Sequence, residues 1–254
     1  ADDRWFTFAA GLGLDAAVVA AVERQRSRGR RSTHALYVRL ALREFARMPR
    51  RQPPLRLSRA GEPVLEGLHL AIVTNTSPWT YLGFHNIQPL ATELKVPIRW
   101  RPILVGGVFN SVNPSVYASR EKPVPAKRDY MLKDLQDWAR SSRLTIAMPP
   151  TVFPVNSVKA MRGCLWLEPQ GQLVPFATAV FEAYWGRDED ISQDAVLAAI
   201  CKQCGIDAEA FFAGIATSDI KAQLKANTEA LIRRGGFGSP TIFVHGEDMY
   251  FGND

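Results

Sequence analysis

The chain has 254 residues, 46% of them hydrophobic, enough for one large core or two small ones. Its 31 basic and 25 acidic residues leave a formal charge of +6, yet residues 1–66 hold 13 arginines, no lysine and 7 acidic groups, while 67–254 balance 18 bases against 18 acids. A basic pI ordinarily points to nucleic acid or anionic lipid, but here the excess belongs to the first segment and excludes that reading for the remainder.

The N-terminus, Ala1-Asp2-Asp3-Arg4, lacks a basic n-region and an apolar h-region, so no secretory signal is expected. With no initiator Met, a processed chain or a fragment is expected. No apolar run approaches the roughly 18–20 residues that span a bilayer, so no stable membrane insertion is expected. Trp5-Phe6-Thr7-Phe8 leads into Gly11-Leu12-Gly13 and a helical pattern over 15–25. That Gly-x-Gly lacks the third glycine and the βαβ context of a dinucleotide site, and reads as a turn. The arginine-rich stretch at 24–31 reads as a solvated helix end or as a phosphate-binding cluster. Ser32 or Thr33 can cap a second helix carrying Leu36, Leu40 and Phe45 and ending near Pro49. Strands are expected at 55–57 and 68–73, separated by the turn residues Ala60-Gly61-Glu62-Pro63.

Phe6-Thr7-Phe8-Ala9-Ala10-Gly11-Leu12-Gly13-Leu14-Asp15-Ala16 and His69-Leu70-Ala71-Ile72-Val73-Thr74-Asn75-Thr76-Ser77-Pro78-Trp79-Thr80-Tyr81-Leu82-Gly83 resemble the C-terminal lipid-binding half of bacterial diacylglycerol kinases. The resemblance covers residues 1–83 and implies an incomplete α+β segment. The kinase phosphate motif Gly-Gly-Asp-Gly-Thr is absent, as are the acidic groups that would follow residue 83. Phosphoryl transfer needs both phosphate cradling and a metal, so this segment is not expected to act as a kinase.

From residue 77 the pattern changes. Ser77 suits an N-cap and Pro78 the first helical position, opening a helix over 79–94. Residues 97–105 read as a strand and 106–124 as a loop rich in Gly, Asn, Pro and Ser. Tyr130, Leu132, Leu135, Trp138 and Ala139 mark a helix from Ala126. Further helices are expected at 156–167, 171–185, 193–204 (capped by Ser192, closed by Gly205) and 219–234 (capped by Ser218, closed by Gly235). Strands at 241–245 and 249–251 flank a turn at Gly246-Glu247. Strand, helix, strand, helical insertion and hairpin together make an α/β thioredoxin-like sheet interrupted by a helical domain. The expected organisation is a kinase-like segment at 1–66 and a thioredoxin-like domain at 67–254, with its insertion at about 106–217.

Six motifs stand in register with one family: Ser77-Pro78-Trp79-Thr80-Tyr81-Leu82, Trp100-Arg101-Pro102, Phe153-Pro154-Val155-Asn156, Ala183-Tyr184-Trp185, Gly238-Ser239-Pro240-Thr241 and Met249-Tyr250-Phe251-Gly252-Asn253-Asp254. Residues 75–254 thereby resemble the 2-hydroxychromene-2-carboxylate isomerases, within the kappa-class glutathione transferase and DsbA-like superfamily. The resemblance implies glutathione as cofactor, a small aromatic-degradation intermediate as substrate, and a homodimer. It implies that Ser77 holds the glutathione thiolate, which adds reversibly to the substrate, permits ring opening or rotation, and leaves again. A hydroxyl at a helix N-terminus is chemically suited to that, because the dipole there favours an anion. Trp79 belongs to the same motif and is carried with it. Pro240 is implied to be cis, with the backbone of Ser239 pairing with the cysteinyl unit of glutathione. Asn253 and Asp254 are implied to hold its γ-glutamyl ammonium, and Asn113 corresponds more loosely to another glutathione contact. Lys127 is either a carboxylate contact or a solvated lysine.

Taken without the resemblance, Ser77 is a helix cap, Pro240 a strand-entry proline and Asn253–Asp254 a solvated turn. Three cysteines are too few and odd for a disulfide scaffold and fit a reducing, cytoplasmic setting. Cys201-Lys202-Gln203-Cys204 has redox spacing but falls at a predicted helix C-terminus, where the dipole disfavours a thiolate. No metal-ligand spacing is recognisable. Besides the isomerase, two alternatives stand: an inactive or lipid-contacting remnant of a diacylglycerol kinase, and a DsbA-like disulfide oxidoreductase. The family's final helix is expected to be missing after Asp254, and the join at 77–83 is expected to be non-natural. The apolar strand at 68–73 is expected to serve as the first strand of the thioredoxin sheet.

Overall fold

The structure is a computed structural model that describes residues 58–59, 62–63, 70–74, 76–244 and 248–252. The helices expected over 15–25 and up to Pro49, the strand at 55–57, the arginine stretch at 24–31, the kinase-like wording before residue 58, the turn at Gly246-Glu247 and the pair Asn253–Asp254 lie outside them. The chain divides into two units, Ala1–Glu62 and Pro63–Asp254. Of the first unit, Ser58–Arg59 is described as strand.

The second unit is a small sheet carrying many helices. Strands β1 (Leu70–Thr74), β2 (Ile98–Pro102), β3 (Thr241–Val244) and β4 (Asp248–Phe251) lie in the order β2-β1-β3-β4. β1 runs parallel to β2, with Leu70 opposite Ile98 and Thr74 opposite Pro102. It runs antiparallel to β3, with Leu70 opposite Val244, and β3 and β4 form an antiparallel pair. The apolar run at 70–73 therefore occupies an interior strand, hydrogen-bonded on both sides, as its near-continuous aliphatic composition predicts. At one edge, β2 alternates: Trp100 is buried and Arg99 exposed.

Helix α1 (Pro78–Glu93) links β1 to β2 and buries Thr80, Tyr81, Leu82, Gly83, Phe84 and Ala91. Tyr81 stacks on Phe181 at 5.0 Å, and Phe84 packs against Trp100 at 4.8 Å. Between β2 and β3 come α2 (Val105–Val112), α3 (Ser115–Glu121), α4 (Pro125–Ser141), α5 (Val158–Leu167), α6 (Leu173–Phe181), α7 (Asp194–Gln203), α8 (Ala208–Ile215) and α9 (Ser218–Arg233). Their apolar faces close over Phe176, Phe211, Leu165, Leu167 and Trp185, all under 2% exposed.

Three local features depart from the sequence reading. The loop expected at 106–124 is instead α2 and α3. Val108 is fully buried with Ile103, Leu231 and Phe243, so packing holds α2 where its glycines and short length would not. A Cβ at Gly107 would stand 3.3 Å from Thr228 Cγ2, so the helix approaches α9 closely there. Second, α8 was not foreseen. Asp207 caps it by accepting from the amides of Glu209 (2.8 Å) and Ala210 (3.1 Å), and Phe211 and Ile215 bury one turn apart. Third, the N-caps of α7 and α9 are Gln193 and Thr217 rather than Ser192 and Ser218. The closing glycines stand as expected, Gly205 at φ +68° and Gly235 at φ +82°. In α4 only Leu135 and Ala139 are buried, and Tyr130 is 67% exposed.

Candidate active site

Ser77 sits at the N-cap of α1 with extended backbone (φ −67°, ψ 145°), and Pro78 takes the first helical position. The Ser77 carbonyl accepts the first intrahelical bond from the Tyr81 amide at 3.0 Å, while its hydroxyl makes no capping bond to that turn. Sixteen residues of helix therefore start at this side chain, placing the positive end of the peptide dipoles beside it.

The Ser239–Pro240 peptide is cis, as the sequence motif implied, and lies against the same turn. Thr80 Oγ1 and Ser239 Oγ are hydrogen-bonded at 2.8 Å in a buried setting. One turn further, a Cβ at Gly83 would stand 3.2 Å from Pro240 Cγ, a close approach that glycine permits. The loop is braced from both ends: Gly252 donates to the Pro240 carbonyl at 3.1 Å and Thr241 Oγ1 to the Gly238 carbonyl at 2.8 Å. Asn113, at the end of α2, donates through Nδ2 to the Phe237 carbonyl at 3.2 Å and accepts from Ser115 Oγ at 2.8 Å.

Ser77 and Ser239 open into one cleft of about 430 Å³, within the range typical of small-molecule sites. Thr76, Ser77, Pro78 and Ser239 form one wall; Val105, Phe109, Tyr117 and Arg120 belong to a second; Phe153 to Val158 and Tyr184 to a third. A π-helical turn at Glu182–Gly186 sets two of these walls. Its consecutive aromatic residues are both buried and aim at different targets. Tyr184 Oη donates to the Val152 carbonyl at 2.8 Å, and Trp185 Nε1 donates to the Thr76 carbonyl at 3.1 Å, directly before Ser77. Such single π turns recur at functional sites because they shift helix register by one residue. Burial pushes the Tyr184 phenol up to about 12, with Asp188 and Asp190 adding to the effect, so it stays a donor at neutral pH.

Trp79, Lys127 and Asn113 fall outside the cleft lining. Trp79 is partly buried against the helical core, Lys127 is exposed, and Asn113 braces the cis-proline loop. The cysteine pair sits at the C-terminal end of α7, with Cys201 buried and Cys204 half-buried. Burial lifts the Cys201 thiol to about 11, with Cys204 adding to the effect, and it raises Cys204 too. Phe153 to Asn156, one of the six motifs, lines the cleft, as do Phe109, Tyr117 and Arg120, whose only sequence signal was their aromatic and cationic character in a segment read as loop.

The arrangement of sheet, helical insertion, Ser77 at the N-terminus of α1 and cis-Pro240 defines a thioredoxin-type protein. Residues 75–254 match the family of DSBA-like thioredoxin domains, and the chain belongs to that family. It is 30% identical over 183 residues to the 2-hydroxychromene-2-carboxylate isomerase of Pseudomonas sp. (strain C18), covering 70% of this chain and 81% of that protein. It is also 30% identical over 193 residues to glutathione S-transferase kappa 1 of Homo sapiens, covering 70% and 82%. Among solved structures, a 2-hydroxychromene-2-carboxylate isomerase superposes with a TM-score of 0.62 at 25% identity, covering 73% of this chain and 89% of the other.

Proposed function

We propose that this protein is a glutathione-dependent isomerase of the 2-hydroxychromene-2-carboxylate isomerase type. The observation that carries the reading is the meeting of Ser77, at the start of α1, with Ser239, before cis-Pro240, in one cleft. The cleft suits the tripeptide chemically: it offers hydroxyls, a helix N-terminus and no carboxylate among its described lining residues. Glutathione, when bound, supplies a thiolate that adds reversibly to a conjugated substrate. The Ser77 hydroxyl donates a hydrogen bond toward that sulfur, and the α1 dipole favours the anionic form. Ser239 presents its backbone to the cysteinyl unit while Thr80 fixes its side chain. Pro240 holds the loop against Gly83. Asn113 steadies the loop from outside, and Trp79 anchors the first turn of α1 in the core. Asn253 and Asp254 are assigned to the γ-glutamyl ammonium from the resemblance alone. The apolar walls exclude water while the substrate bond rotates. The described cysteines are all free thiols, in keeping with a reducing, cytoplasmic setting.

The test is conversion of 2-hydroxychromene-2-carboxylate, followed by absorbance with and without glutathione. Turnover should require glutathione and fall about 10- to 100-fold in Ser77→Ala, the cost of one hydrogen bond to a charged group. Glutathione should also raise the melting temperature of the wild-type chain. Turnover indifferent to glutathione, or unchanged in Ser77→Ala, would sink the reading.

A further inference from the structure

Arg120 is the one charged residue among the described residues lining the cleft, and its setting is aromatic. Its guanidinium carbon lies 5.7 Å from the Phe109 ring centroid and 5.3 Å from that of Phe153. Phe109 in turn meets Tyr117 edge-on, centroids 6.3 Å apart at 90°. Tyr117 is oriented by its hydroxyl, which donates to Asn110 Oδ1 at 2.8 Å. Three separate segments thus converge: α2 brings Phe109, α3 brings Tyr117 and Arg120, and the chain after α4 brings Phe153. Arg120 makes no hydrogen bond or ion pair with any described residue, and no described acid lines the cleft to neutralise it.

An arginine held by ring faces keeps its donors directed outward, and guanidinium matches carboxylate in a planar, two-pronged geometry. We propose that Arg120 is a specificity-determining residue that grips the carboxylate of a conjugated aromatic acid, with Phe109, Tyr117 and Phe153 taking its ring. This rests on the reading of the cleft as the isomerase site, and adds the residue that selects the substrate's charge. The same guanidinium could take a carboxylate of the thiol tripeptide instead. The rings favour the aromatic acid, because a flexible peptide gains little from three aromatic faces.

Isothermal titration of the full chain with 2-naphthoate and with 2-naphthamide separates charge from ring contact. The wild type should bind the acid about tenfold or more tighter than the amide, at low ionic strength. Arg120→Gln should remove that preference and leave amide binding and glutathione affinity unchanged. Arg120→Lys should restore only part of it, since an ammonium lacks the planar fork. Equal wild-type affinity for acid and amide overturns the proposal, as does a preference that survives in Arg120→Gln. A loss of glutathione affinity in Arg120→Gln in place of naphthoate affinity also overturns it, assigning the arginine to the tripeptide. Arg120 is exposed, so the variant is expected to fold. If naphthoate preference depends on Arg120 while glutathione-dependent turnover is absent, the carboxylate site stands and the isomerase reading falls.

Discussion

Replacing Trp185 by Phe tests how the helical core reaches the site. Trp185 is fully buried, and its indole N–H donates to the Thr76 carbonyl at 3.1 Å, one residue before Ser77. Thr76 is itself only 8% exposed, so water cannot readily replace the lost donor. A buried carbonyl deprived of its partner costs about 1–3 kcal/mol. The roughly 40 Å³ difference between indole and phenyl, at about 24 cal/mol per Å³ of residual cavity, adds about 1 kcal/mol. The sum is about 2–4 kcal/mol, a large fraction of the stability of an ordinary domain. Urea unfolding followed by far-ultraviolet circular dichroism measures it without depending on the deleted fluorophore. Because Thr76 leads directly into Ser77, kcat should fall at temperatures where the variant remains folded. A loss below about 1 kcal/mol, or a destabilised variant with unchanged kcat, would refute the claim that this bond positions the start of α1.

Gly163→Ala should destabilise by about 1–3 kcal/mol through overpacking, because the added methyl would stand 2.6 Å from Phe211 Cε2 and 2.9 Å from Phe176 Cε1; an unchanged urea midpoint would contradict that packing. Native thiol labelling at pH 8, read by mass spectrometry, should modify Cys204 first and spare Cys164, which is fully buried with its thiol pushed up to about 12 by desolvation. The sign follows from linkage: a thiol whose folded pKa is raised contributes stability that is full below its ordinary value of 9.0 and is lost as pH rises toward 12. Cys164→Ala should therefore flatten the alkaline decline in melting temperature over that window, whereas Cys201→Ser should leave turnover unchanged; redox activity lost in Cys201→Ser would revive disulfide exchange.

Features that local chemistry controls were legible in the order of residues. Ser77-Pro78 marks the start of α1 because an N-cap and a fixed φ are properties of adjacent residues. Gly205 and Gly235 mark helix ends because left-handed backbone favours glycine. The order of apolar strands and amphipathic helices was enough to point to a thioredoxin-type sheet with a helical insertion. Asp207 as the cap of α8, with Phe211 and Ile215 one turn apart, is equally a local pattern, closely following the terminator Gly205. What no local pattern contained was α2, whose glycines argue for loop and whose burial against Leu231 and Phe243 comes from residues more than a hundred positions away. The same holds for the cleft. Tyr184 and Trp185 are neighbours in sequence, and only the π-helical turn sends one to Val152 and the other to Thr76. Arg120 acquires meaning only where α2, α3 and the chain after α4 bring Phe109 and Phe153 beside it. Capping and periodicity are decided within a turn or two of the backbone, whereas the walls of the cleft depend on contacts between segments that close only when the core packs.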